Sequence, residues 1–304
     1  MKPPWEDFAA GSSGWTGLPL GVEAFVCRGA RGGPASVITA GIHGDEYEGP
    51  AAAARLACTL TPDAVRGSVV LVPVANPMAW HAGLRVTPED GRNLARTFPG
   101  DPRGTLTERL AAHLFAWISQ ADYLIDLHSG GVEYRFAPLA GFYGDPVAGN
   151  PSFQAARRFG LSWLWRLPET PGVLSCELHR RGRTAIGCEY LGGGQLAPEG
   201  VDAYVRGVLS CLAAWGMLPD EQALPPGGVA VRGDWVLAGV AGVLAAEIEL
   251  GGAVAAGQRL GTISNENGQE WETLVTPRAG TVLALRSKAY IRKGDWAVLV
   301  ASDA

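Results

Sequence analysis

Lysine is nearly absent from this chain: Lys2, Lys288 and Lys293 are three of its 25 basic residues, and the other 22 are arginines spread along its length. With a formal net charge of −5 and no basic stripe, the sequence lacks the electrostatic footprint of a nucleic-acid binder. No uncharged apolar run approaches the roughly 18–20 residues that a membrane helix needs, so no membrane partner is expected. The segment Met1 to Asp7 lacks the charged-then-apolar layout of a signal peptide, and a cytoplasmic location is the expectation. The five cysteines, Cys27, Cys58, Cys176, Cys188 and Cys211, are widely spaced and contain no C-x-x-C pair. Neither a disulfide framework nor a thiolate zinc site is indicated, and all five read as small buried hydrophobes. Also missing are the G-x-x-x-x-G-K-[ST] phosphate loop, the G-x-S-x-G nucleophile elbow and a strand-borne G-x-G-x-x-G fingerprint.

What is present is enough to fold. Of 304 residues, 47% are hydrophobic and only 18% charged, so the chain can bury a sizeable core and is not disordered. Up to residue 222, short apolar runs alternate with helical patterns. Val37 to Ala40, Val69 to Val74 and Tyr123 to Leu127 read as buried strands, while Pro50 to Leu60, Thr105 to Ile118 and Gly200 to Trp215 read as helices. This order predicts an α/β domain over 1–222 with a mostly parallel sheet covered by helices. The run Pro225-Pro226-Gly227-Gly228 reads as a linker. From 228 to 304 the texture changes to short glycine-punctuated strands, which predict a small all-β barrel or sandwich. Its Gly251-x-x-Val254-x-x-Gly257-x-x-Leu260 and Pro277-x-x-Gly280-x-Val282 patterns are similar to biotinyl and lipoyl domains. The hairpin from Ser264 to Glu272 has no lysine to carry a cofactor, so only the shape is expected.

The candidate chemistry sits at strand ends. His43 follows the first clear strand, and Gly44 permits a turn that aims His43 and Glu46 at one spot before Pro50 opens a helix. His128 closes the strand Ile125-Asp126-Leu127, so it reaches the same carboxyl edge of the sheet, where open α/β sheets place ligands. Two imidazoles and a carboxylate form a His₂Glu set of the kind that binds catalytic zinc with one position left open. His81, His113 and His179 lack this context and read as non-ligands.

The runs His43-Gly44-Asp45-Glu46, Asn76-Pro77-x-Ala79, Arg85, Arg96-x-Phe98-Pro99-Gly100, Asp126-Leu127-His128 and Cys188-Glu189-Tyr190-Leu191-Gly192-Gly193 come in one order. In that order the sequence resembles the succinylglutamate desuccinylase/aspartoacylase family of zinc carboxypeptidase-like hydrolases. The resemblance implies a three-layer α/β/α zinc-hydrolase domain with a C-terminal β domain. It implies one Zn²⁺ held by His43, Glu46 and His128, a general base at Glu189 and an oxyanion-stabilising Arg85. It also implies substrate-carboxylate recognition by Arg96, and a tyrosine, here Tyr290, that reaches the site from the β domain. Where family members often read Asp-Leu-Asn-Arg, this chain reads Asn93-Leu94-Ala95-Arg96. Asn93, in the place of the aspartate, is a substrate-binding candidate alongside Arg96 and Tyr290, and Ala95 replaces the asparagine that helps hold the carboxylate.

The resulting expectation is a zinc-dependent deacylase acting on an N-acyl amino acid or related small N-acyl amine. A peptide-trimming zinc carboxypeptidase and a non-catalytic binding homologue are the alternatives. The acyl group, the amine, the native metal and any homo-oligomer stay open.

Overall fold

A computed structural model describes residues 1–304. The first part of the chain runs β1 (Ser12–Gly17), β2 (Glu23–Arg28), β3 (Arg31–Thr39), α1 (Glu48–Thr59), β4 (Arg66–Val72), α2 (Pro77–Ala82), α3 (Leu106–Ile118), β5 (Tyr123–His128), β6 (Tyr134–Phe142), α4 (Pro151–Phe159), β7 (Trp163–Arg166), α5 (Leu174–His179), β8 (Thr184–Gly192) and α6 (Pro198–Ala214). It continues through β9 (Val229–Leu237), β10 (Gly242–Ala246), β11 (Ala253–Val254), β12 (Arg259–Ser264), β13 (Glu270–Val275), β14 (Gly280–Arg286), β15 (Tyr290–Ile291) and β16 (Trp296–Asp303). None of its helices is long and apolar enough to cross a membrane.

The central strands are apolar at successive positions because both faces of the sheet are covered. Ile38, Ile125 and Ile186 face one core, shared with Leu56 of α1, Phe159 of α4 and Tyr204 of α6. Their neighbours Val37, Leu124 and Ala185 face the other, shared with Leu110 and Leu114 of α3 and Leu178 of α5. Strands β4, β3, β5 and β8 pair in parallel, whereas β1, β2 and β6 join antiparallel.

Local chemistry sets the helix boundaries. The α3 helix begins where expected because Thr105 and Glu108 form a reciprocal capping box: Glu108 Oε2 accepts from the Thr105 backbone N–H at 2.7 Å. Helix α1 starts at Glu48, two residues ahead of the proline expected to open it, since proline is tolerated anywhere in a first turn whose N–H groups lack helical partners. Strand β6 has no counterpart among the strands read from the sequence. It holds Pro138, which the sheet accommodates through a register shift against β8 between Phe136 and Leu139. Of the five cysteines, four are buried, but Cys58 is exposed on α1, so its reading as a buried hydrophobe is corrected.

The sheet does not stop at the Pro-Gly segment. It extends from β6 through β7, β9 and β16 to β14, and β14 pairs back with β6, so five strands close a ring drawn from both parts of the chain. Tyr134, Phe136 and Leu139 of β6 pack inside one hydrophobic cluster with Val231, Leu283 and Leu299. A second sheet, β13-β12-β10-β15, completes the C-terminal part. Because β6 and β7 draw partners and core from beyond residue 228, the protein should unfold in one cooperative transition by calorimetry. A fragment ending at residue 226 should aggregate or be rapidly proteolysed, since it exposes the edge of β7 and the apolar face of β6.

Candidate active site

Parallel register brings the chemistry together. Thr39 of β3 pairs with Asp126 of β5, and His128 of β5 pairs with Glu189 of β8, so three neighbouring strands end at one place. The loop after β3 carries His43 and Glu46, which are 1% and 2% exposed. Two glycines let that loop press against its surroundings. Gly41 has φ +59°, and a Cβ at Gly44 would fall 1.9 Å from the Ala79 carbonyl oxygen of α2. The segment after α2 then straps the loop down. The backbone N–H of Gly44 donates to the Leu84 carbonyl at 2.8 Å, and His43 Nδ1 donates to the Arg85 carbonyl at 2.8 Å. Asn76 supports this strap from behind: its side chain caps α2 at Ala79 N–H and donates to Thr87 Oγ1 at 3.0 Å.

Ligand atoms of His43, Glu46 and His128 lie within 4.8 Å of one another. With Nδ1 committed to a backbone carbonyl, His43 keeps Nε2 for a ligand. His128 is held at both nitrogens, with Nδ1 3.0 Å from Glu46 Oε2 and Nε2 3.1 Å from Asp126 Oδ2. Thr39 Oγ1 donates to the other Asp126 oxygen at 2.6 Å, and Tyr204 OH donates to the His128 carbonyl. Such a carboxylate–imidazole pair is the support that metal-ligating histidines usually have. Asp126 therefore has a positioning role that the sequence reading passed over. The signal was its two-residue spacing from His128 on a strand, which puts both side chains on one face.

Charge accounts for the electrostatics. Burial, helped by the Arg85 cation, lowers the His43 pKa to about 3, so this ring is neutral and ready to ligate. Burial opposes a charged His128 too, but the Asp126 and Glu46 carboxylates outweigh it and hold the ring well above its ordinary value. Glu46 stays ionised at about 2: burial disfavours its charge, and His43, His128 and Arg85 overcome that. Arg85 Nη1 donates to Glu46 Oε1 at 3.0 Å. Glu189 is pushed the other way, to about 8, by burial and by the nearby Glu46 charge, and its Oε2 is buried without a hydrogen-bond partner.

These residues open onto a cavity of about 270 Å³ lined by His43, Arg85, Arg96, His128 and Glu189. Arg96 reaches it from the turn Leu94–Arg96 and makes no ion pair within 4.0 Å. The small side chain of Ala95 lines it as well. Two sequence-derived candidates are not brought in. The Asn93 side chain accepts from the Ala95 N–H at 2.9 Å and caps that turn instead of facing the cavity. Tyr290, on a strand paired with β10, is 54% exposed and also stands outside. The C-terminal part reaches the cavity through Trp235 and Trp296, which stack at 4.7 Å and were missed by the sequence reading. Tyr134 and Phe136 of β6 join them, and their alternate spacing was the available clue. Among the other histidines, His179 stacks on Tyr143, and neither it nor His81 or His113 belongs to the ligand cluster.

Fold and site together define a mixed α/β protein with a buried donor set, two imidazoles and one carboxylate, suited to a divalent cation. The family model for the succinylglutamate desuccinylase/aspartoacylase catalytic domain matches residues 32–215, and the chain belongs to that family. N-alpha-acetyl-L-2,4-diaminobutyric acid deacetylase of Halomonas elongata is 30% identical over 306 residues, spanning 95% of this chain and 87% of that protein. A succinylglutamate desuccinylase/aspartoacylase structure from Rhodobacter sphaeroides superimposes with a TM-score of 0.87 at 28% identity, covering 98% and 97% of the two chains. The product-bound ectoine utilization protein EutE (DoeB) of Ruegeria pomeroyi gives 0.85 at 28% identity over 95% and 93%.

Two outcomes follow from this geometry. Between pH 4.5 and about 8 the native state holds a proton on Glu189 that the unfolded chain has lost, so rising pH removes stability across that window. In metal-free protein, Glu189→Gln should therefore melt level with the parent near pH 4 and several degrees above it at pH 8.5. Asp126→Asn should weaken zinc affinity by about 10–100-fold in a competition titration, with the fold retained by circular dichroism.

Proposed function

We propose that this protein is a zinc-dependent amidohydrolase that removes the acyl group from an N-acyl amino acid or a related small N-acyl amine. The observation that carries the reading is the convergence of His43, Glu46, His128 and the unpartnered carboxylate of Glu189 at adjacent strand ends. The deacylating activities named for members of the same family support it.

In this reading His43, Glu46 and His128 would hold the cation, and zinc bound there would supply Lewis acidity towards a water and the acyl carbonyl. Glu189 is the general base: it stands on β8 beside His128 and its Oε2 makes no hydrogen bond within the protein, so its carboxylate can take a proton from water and pass it to the departing amine. It is not a ligand, which leaves it free to move protons. Arg85 provides a fixed positive charge beside the cluster, where acyl transfer builds negative charge on oxygen. Arg96, without an acidic partner in the protein, is the guanidinium available to a substrate carboxylate, and with Ala95 beside it that carboxylate rests on the arginine fork alone. Tyr134 and Phe136 of β6, with Trp235 and Trp296, wall a cavity of about 270 Å³, which supports small substrates over peptides.

The test is hydrolysis of N-acetyl and N-succinyl amino acids with and without a chelator, alongside metal analysis. One zinc per chain, loss of activity on chelation with recovery on adding zinc, and a drop of at least about 100-fold in kcat for Glu189→Gln are expected. Full activity of Glu189→Gln, or activity indifferent to chelation, would overturn the proposal.

A further inference from the structure

The cavity wall away from the cation cluster carries no acid. The carboxylates that line the cavity are Asp126 and Glu189, and Asp126 is already engaged by Thr39 and His128. The turn bearing Arg96 abuts the loop that follows β7: Phe98 N–H donates to the Gly172 carbonyl at 3.1 Å. That loop and β7 line the cavity with Trp165, Leu167, Pro168 and Val173. On the barrel side, Trp235 lies 4.7 Å from Trp296 and 6.1 Å from Phe136. Behind these rings stands an ion pair. Arg286, with a side chain only 4% exposed, donates to Tyr134 OH at 3.1 Å and is neutralised by Asp295.

An amino acid's side chain leaves its α-carbon one bond from the carboxylate carbon. With the carboxylate on Arg96, the side chain therefore meets the wall that adjoins Arg96. A charged side chain there loses water and gains no partner, which is costly, whereas an aliphatic or aromatic one gains from burial. Two guanidiniums line this cavity, Arg85 and Arg96; Arg85 is paired with Glu46, whereas Arg96 has no acidic partner, so an ammonium placed beside Arg96 meets a like charge.

We infer that the substrate is an N-acyl derivative of an amino acid with an uncharged, bulky aliphatic or aromatic side chain, seated against Trp165, Leu167, Pro168 and Val173. The inference rests on the deacylase reading above and sharpens it. It separates this chain from the Halomonas relative, whose named substrate is a diamino acid.

The experiment holds the acyl group constant and varies the amine. Zinc-loaded enzyme is assayed on N-acetyl derivatives of glycine, leucine, phenylalanine and aspartate, and on Nα-acetyl-2,4-diaminobutyrate. The leucine or phenylalanine derivative should exceed both charged ones in kcat/KM by at least about tenfold. Leu167→Asp, which places an acid in the wall, should shift the leucine-to-diaminobutyrate ratio of kcat/KM by about tenfold or more towards diaminobutyrate, a ratio read within one preparation and therefore independent of any loss common to all substrates. A charged derivative that matches or beats the apolar ones in the parent would overturn the inference and leave deacylase activity standing. Hydrolysis of none of the five, nor of their N-succinyl counterparts, would overturn both.

Discussion

The parallel pairing of β3, β5 and β8 is the constraint on which the site depends. It sets Thr39 beside Asp126 and His128 beside Glu189 without any help from the loops. Along β5, Asp126 and His128 share one face, while Leu127 between them is buried in the core beneath α1 and α6. A slip of one residue would send the imidazole into that core and Leu127 into the cavity. The apolar packing that stabilises the sheet is therefore also what fixes the ligand geometry.

A second constraint is charge in a small, dry space. Glu46 and Glu189 cannot both ionise cheaply so close together, and the protein resolves this by giving Glu46 hydrogen-bonded cations and Glu189 only the through-space influence of Arg85 and His128. Glu46 has Arg85, His128 and the Ser129 N–H as hydrogen-bonding partners. One oxygen of Glu189 has no partner at all. The two carboxylates are thus driven to opposite ionisation behaviour by their surroundings alone, which is how neighbouring acids come to take different roles.

Much of this was legible in the sequence, for identifiable reasons. Strands β3, β4 and β5 announced themselves because two covered faces leave an uninterrupted apolar run, and α3 because Thr105 and Glu108 write a capping signal. The cluster of His43, Glu46 and His128 was readable because each member follows a strand end. Strand β6 was hidden by Pro138 and its bulge, and β7 is only four residues long. Tyr290 was placed by likeness alone, and on β15 it lies exposed, outside the lining of the cavity. The tryptophans that do line the cavity could not be found this way. Trp235 and Trp296 lie 61 positions apart and meet only because β9 and β16 are neighbours in the ring.

That ring has a mechanical consequence. Strand β6 is hydrogen-bonded to β8 and β7 on one side of the chain's Pro-Gly segment and to β14 on the other, so the flexible residues around Gly227 and Gly228 are spanned by a closed hoop. A hinge whose two arms are tied together cannot swing. The wall carrying Trp235 and Trp296 is thereby anchored, through β9, β7, β6 and β8, to the same strands that set the ligand cluster.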